Sequence, residues 1–348
     1  MLKNYNYKLI SIYRTQLMGI AILFVVFYHS TNDISSIPIL SIIRKISIGS
    51  VDLFLMLSGL GLYYSNQRCR NTLHFYKKRL LRIIPIYLPV VFMMGIFYLV
   101  IGKMSISELI MNLTTLSFWF DTRNRFDWFI PAIIMLYFMT PIFLYFFKHK
   151  NKYITTGIAI SCAILLSVMI SSSPMQYLLI FTTRIPIFLI GILVGYWINI
   201  GKECNRASII LSFSGLILGL IIIFITSIYL KEYGASYGLW WYPFMLITLP
   251  VCMGTTIILQ YIINLKVLKL TFLTFLGTHS FEIYLFHERI LDLANNLSKY
   301  LHLVRYKLLF HLICFITTLI MAYIWKKIIS YFLRIGRNKL KNLSIETV

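Results

Sequence analysis

Apolar residues occupy long continuous blocks of this chain, separated by short stretches that hold most of its charge. A helix needs about 20 mostly apolar residues to cross a bilayer. Ten blocks approach that length: 15–32, 46–65, 83–101, 128–147, 154–172, 185–200, 207–229, 239–262, 270–290 and 308–325. The blocks do not alternate apolar with polar, so they read as membrane helices and not as the strands of a β-barrel. Segments 104–120 and 174–184 are too polar or too short to cross and read as interfacial or re-entrant helices. The first block lacks a small-residue cleavage site, with Tyr28-His29 where one would fall, so it reads as a retained helix. Paired broken segments of the kind found in inverted-repeat transporters do not stand out. The expected organisation is an N-terminal segment 1–14, a membrane domain 15–325 and a basic tail 326–348. The fold class is all-α and polytopic, with about ten crossings and both termini on one side.

Composition agrees. Of 348 residues, 59% are hydrophobic and 13% charged, about half the charge of an average soluble domain. Mean hydropathy is +0.80. A soluble enzyme and a disordered chain are both excluded. The net charge of +22 would suggest nucleic acid in a soluble protein. Here two-thirds of the lysines and arginines fall in 1–14, 66–82, 148–153, 200–206, 263–269 and 326–348, alternate connections of the ten-helix reading. That bias predicts cytoplasmic termini and no nucleic-acid partner. Trp119, Trp128, Trp240 and Trp241 fall on the other side as interfacial anchors. Cys69, Cys162, Cys204, Cys252 and Cys314 form no metal-binding spacing, and their odd number argues against a disulfide framework.

An ionisable side chain in a membrane is costly, which makes each one a candidate for function. His29 closes the first apolar block, toward the outer face, and can act as a base when neutral. It can equally be a helix-end histidine bonded to a neighbouring span. Asp52, in Gly49-Ser50-Val51-Asp52, lies at a similar depth. It can cap its helix, pair with Arg44 or Lys45, or orient and support His29 as carboxylates do in hydrolase triads. In His74-Phe75-Tyr76-Lys77-Lys78-Arg79-Leu80-Leu81-Arg82, Arg79 and Arg82 share a helix face. Their guanidiniums suit phosphate, and positive-inside anchoring explains them as well. Pro85 reads as a helix start. On the ninth block Ser280, Tyr284 and His287 share a face, a polar stripe suited to a cavity or a helix contact. Glu282 and His279, three apart, are positioned to pair. Asp127, Arg184, His287 and Glu288 join His29 and Asp52 in the outer half, while Arg68, Arg70, Arg79 and Arg82 line the inner rim. One side can hold an anionic donor and the other can carry out proton chemistry on an external acceptor. An exporter or flippase of a glycan or small anion would use a similar distribution. Substitution of His29 by Asn or Gln separates the two, since an exporter tolerates it better.

Five stretches, in order, resemble the integral-membrane acyltransferase-3 family, whose members O-acylate glycans and similar acceptors. Met18 to His29 resembles its opening helix, which ends in a histidine. Val51-Asp52-Leu53-Phe54-Leu55-Met56-Leu57-Ser58-Gly59 resembles its second span. Phe75 to Arg82, with Pro85 and Tyr87, resembles its basic third-span approach. Asp127-Trp128-Phe129-Ile130, Tyr137 and Pro141 resemble its Trp-led span. Gly277, Ser280, Tyr284, Leu285 and His287 resemble its late signature. One position departs: the family's arginine eleven residues before the histidine is Met18 here, and Arg14 lies about one helical turn earlier. Either Arg14 serves in its place or it is a topology charge.

The resemblance implies an acyl-CoA donor, acetyl-CoA foremost, docking from the cytoplasm. It implies Arg79, Arg82 and Arg14 at the donor and His29 with Asp52 at the chemistry, His29 being general base or transient acyl carrier. Asp127, Trp128, Ser280, Tyr284, His287 and Glu288 would line the acceptor side. The implied acceptor is a hydroxyl of a surface or lipid-linked glycan; succinyl groups, amines and lipids are variants. The setting is a bacterial-type inner or plasma membrane, with glycan-assembly machinery as a possible partner. No metal and no bound cofactor are expected. With little beyond the membrane domain, acceptor binding would fall to the short outer loops or to a partner.

Overall fold

In hydrocarbon a backbone must satisfy its own hydrogen bonds, so apolar blocks become helices. The computed structural model describes residues 5–29, 38–69, 71–120, 127–230, 233–234, 236–265, 269–300 and 307–346. Eleven helices carry the argument: α1 (Arg14–His29), α2 (Ser50–Arg68), α3 (Thr72–Val100), α4 (Phe129–His149), α5 (Lys152–Ser171), α6 (Ile185–Asn199), α7 (Arg206–Ile228), α8 (Phe244–Asn264), α9 (Thr271–Thr278), α10 (Ser280–Tyr300) and α11 (Lys307–Glu346). The protein is an all-α polytopic membrane protein. Eight helices among the described residues are long and apolar enough to cross a bilayer.

The two predicted crossings outside that set are informative. Helix α1 has 16 residues, about 24 Å at 1.5 Å per residue, which is shorter than the ~30 Å hydrocarbon core; residues 30–32 of that prediction lie outside the described residues. Block 270–290 is two helices, broken at His279 and extended to Tyr300. Ser280, Glu282 and His287, which lower its hydropathy, are buried in the protein interior. Other boundaries move for local reasons. Helix α3 starts at Thr72 because Asn71 caps it by accepting from the His74 amide at 2.8 Å. The basic cluster therefore lies on the helix itself, and Pro85 and Pro89 fall inside it. Residues 176–184 are not a separate re-entrant element, since a short helical stretch, Gln176–Leu178 and Leu179–Thr182, leads straight into α6. Segment 104–120 forms two short helices, Ile106–Leu113 and Ser117–Phe120. Past residue 326, α11 continues without a break. Arg70 lies outside the described residues.

Glycine lets the central helices touch through their backbones, as small residues do in membranes. A side chain at Gly59 would strike the Phe188 carbonyl, and one at Gly191 the Met56 carbonyl, which fixes α2 against α6. Gly19 against the Leu273 carbonyl, and Gly277 against the Thr15 carbonyl, fix α1 to α9 in the same way. The best-buried crossing is Gln176–Asn199, 83% inside the protein, while α7 is only 11% inside and presents its side chains outward. At one end a two-residue ribbon pairs Tyr5 with Cys204 and Asn6 with Glu203. The Tyr5 hydroxyl is 2.7 Å from Thr256 Oγ1 on α8.

Candidate active site

The packing gathers two opposed sets of polar side chains. The first lies where α1 and α3 begin and α2 ends. Arg14 donates through Nε and Nη2 to the Leu57 carbonyl at 3.2 and 3.1 Å. Gly61 makes room for that guanidinium: a β-carbon there would come within 3.0 Å of Nη2. Arg79 donates through Nε to Ser65 Oγ at 3.1 Å. Arg14, Arg79 and Arg82 line one cavity of about 280 Å³ together with Tyr137, Ser280 and Tyr284. Among the described residues none of these guanidiniums makes an ion pair. The one carboxylate that lines this cavity among the described residues, Glu282, faces Lys326, so the three guanidiniums gather without a carboxylate of their own, and an anion relieves that cost. Lys326 of α11, which the sequence reading left in the tail, also lines this cavity. Its ammonium lies 3.8 Å from Glu282 and contacts the Thr278 carbonyl. The predicted Glu282–His279 pair does not form, because His279 Nδ1 turns to the Phe275 carbonyl at 2.8 Å.

The second set lies where α1 ends and α2 begins. His29 Nδ1 is 2.8 Å from Glu288 Oε1 on α10. A carboxylate accepts, so Nδ1 carries a proton; in the neutral ring Nε2 is then the nitrogen with the lone pair. The imidazole is 35% exposed, open enough to meet a substrate. His287 is buried, with its ring centroid 5.1 Å from that of His29. Its Nδ1 donates to the Tyr284 carbonyl at 2.7 Å, and among the described residues its Nε2 has no hydrogen-bond partner.

The expected support of His29 by Asp52 is corrected here. Asp52 meets Arg184 Nε at 3.3 Å, both side chains being 1% exposed. Arg184 also donates to the Ile180 carbonyl at 2.7 Å, and its guanidinium lies between the rings of Trp128 (5.1 Å) and Trp241 (5.5 Å). Arg184 starts α6, and a buried arginine draws the nearest buried carboxylate. Glu288 takes the partner position at His29 instead. Asp127 is held by Arg289 Nη2 at 2.8 Å. Burial raises the Asp127 carboxyl above its ordinary value, and Arg289 opposes that shift. Trp128 serves as a wall for Arg184 more than as an interfacial anchor. The predicted stripe divides: Ser280, donating to the Gly277 carbonyl at 3.0 Å, and Tyr284 line the arginine cavity, and His287 turns to His29.

His29 and Glu288 open on a second cavity of about 460 Å³, lined also by Tyr28, Trp128, Trp240 and Asp292. Val25 and Val51 line both cavities, so the two meet back to back at one wall. Sequence reasoning missed the partnerships of Arg184, Arg289 and Lys326. It placed Asp52 and Glu288 at the right level, but which carboxylate faces His29 depends on helix rotation.

A cationic chamber thus lies against a chamber holding a carboxylate-supported imidazole, inside a polytopic membrane protein. A family model described as an acyltransferase domain matches residues 16–326. The chain belongs to the acyltransferase-3 family and is a membrane acyltransferase. No curated protein and no solved structure matches it.

Proposed function

We propose that this acyltransferase moves an acyl group, acetyl from acetyl-CoA in the simplest case, from the cytoplasmic side to a hydroxyl of a surface or lipid-linked glycan. The observation that carries the reading is the pair of cavities sharing Val25 and Val51, one cationic and the other holding His29. The arginine end faces the cytoplasm in this account, supported by the basic bias of the connections on that side. CoA phosphates meet Arg79, Arg82 and Arg14, and Lys326 adds a fourth cation. Arg14 thus serves where the family's usual arginine is Met18. The pantetheine arm covers much of the depth from Arg14 to His29, about 22 Å of helix.

In the base-catalysed route, His29 Nε2 takes the proton from the acceptor hydroxyl. The oxygen attacks the thioester carbonyl, the carbon–sulfur bond breaks, and the CoA thiolate takes a proton as it leaves. Glu288 holds the Nδ1 tautomer and stabilises the imidazolium. An acyl-imidazole route uses the same Nε2 as nucleophile and the same support. Arg184, held by Asp52, lines the second cavity. The exposed Trp240 ring and the Asp292 carboxylate there suit a sugar's apolar face and hydroxyls. The protein works in the inner or plasma membrane, beside the machinery that supplies the glycan, and needs no bound cofactor for this chemistry.

Inside-out membrane vesicles given labelled acetyl-CoA test the proposal. Label should enter the base-labile fraction of the glycan with the wild type and not with His29→Ala. Glycan that reaches the lumen without label would mean export without acyl transfer.

A further inference from the structure

We propose that His29, His287 and Glu288 form a binding site for Zn2+, filled from the second cavity, and that the bound ion inhibits the enzyme. One ligand-capable atom from each of the three lies within 4.8 Å of the others. Two imidazoles and a carboxylate are a known zinc set that leaves a fourth position for water. Tetrahedral bonds of about 2.0–2.1 Å put ligand atoms roughly 3.4 Å apart. The cluster must therefore contract by at most about 1.4 Å. His29 and Glu288, 35% and 26% exposed, have room to move.

His287 supplies the independent observation. It is 1% exposed, and among the described residues its Nε2 has no hydrogen-bond partner. A buried polar atom left so is costly and calls for a ligand. Its Nδ1 is already committed to the Tyr284 carbonyl at 2.7 Å. Metal-ligating histidines carry this same contact, the second ring N–H fixed on a backbone carbonyl so that the other nitrogen presents its lone pair. Coordination of His29 through Nδ1 shifts that proton to Nε2, and Glu288 exchanges its hydrogen bond for a metal bond. Among divalent ions, imidazole-rich sets favour Zn2+ over Mg2+ and Ca2+. A metal on Nδ1 holds the ring proton on Nε2, so His29 can no longer act as base or nucleophile toward the acceptor hydroxyl.

Metal binding stands on the cluster alone; its inhibitory effect rests on the function proposed above. The test uses the full-length chain without a histidine tag, purified in detergent. ZnCl2 titrated by calorimetry should bind saturably at one ion per chain, and CoCl2 should give the visible absorption of tetrahedral cobalt. His287→Gln and Glu288→Gln should each weaken Zn2+ by about tenfold or more, while Asp292→Asn, in the same cavity, should change it less than about twofold. Melting curves matching the wild type keep the variants comparable. Zn2+ should suppress acyl transfer over the range in which it binds, and chelation should restore it. Absence of saturable binding, or binding unchanged in both variants, would overturn the site. Saturable binding with acyl transfer unaffected would overturn its inhibitory role. A chain that binds Zn2+ but transfers no acyl group when metal-free would leave the site standing and count against the transferase proposal.

Discussion

His29 and Asp52 sit at similar depth and look interchangeable as a catalytic pair in the sequence, yet their partners separate their roles. Glu288 faces His29, so Glu288→Gln should lower kcat by about 10²–10⁴-fold and leave the protein's melting temperature close to wild type. Asp52 faces Arg184 in the interior. Asp52→Asn leaves a buried guanidinium uncompensated and should destabilise the protein by about 3–5 kcal/mol, read by thermal unfolding in detergent. The opposite pattern, a stable but inactive Asp52→Asn and an active Glu288→Gln, would return Asp52 to the catalytic position. The sequence carried the identity and depth of all these residues, since a charge inside an apolar block marks itself. It did not carry their pairing. Glu288 reaches His29, and Arg289 beside it reaches Asp127, because one residue of helix turns a side chain by about 100°. That rotation is set by packing with distant elements.

Helices were the most legible level, because each apolar block must close its own hydrogen bonds. What hid from the sequence was where polar residues interrupt or extend them: the break at His279, the early start of α3 at the Asn71 cap, and the run of α11 through Lys326. The glycines of the family-like stretches gain a physical reason here. Gly59 and Gly277 are contact points of backbone on backbone, not hinges. Gly277→Ala should therefore destabilise by about 1–3 kcal/mol through overpacking against the Thr15 carbonyl. It should also displace α1, which carries both Arg14 and His29, so activity should fall further than stability alone explains. A melting curve and an acyl-transfer rate on the same preparation would check both. Gly102, with φ of +69° and nothing near its side-chain position, is the contrasting case: a turn glycine needed for conformation alone.

Across the whole molecule, the division into a cationic chamber and an imidazole chamber makes the two ends separable by experiment. Arg79→Gln or Arg82→Gln should raise the donor KM by about tenfold, weaken its salt dependence and leave the acceptor KM nearly unchanged. The central claim is that His29 performs acyl transfer to a surface glycan. Three strains test it most directly: one lacking the chain, one complemented with it, and one complemented with His29→Ala at matched expression. Proton NMR of the isolated glycans, before and after mild base, reads the O-acyl groups. The account predicts a base-labile acyl signal in the wild-type strain only, with normal glycan yield in all three. Unchanged acylation with reduced surface glycan would contradict it.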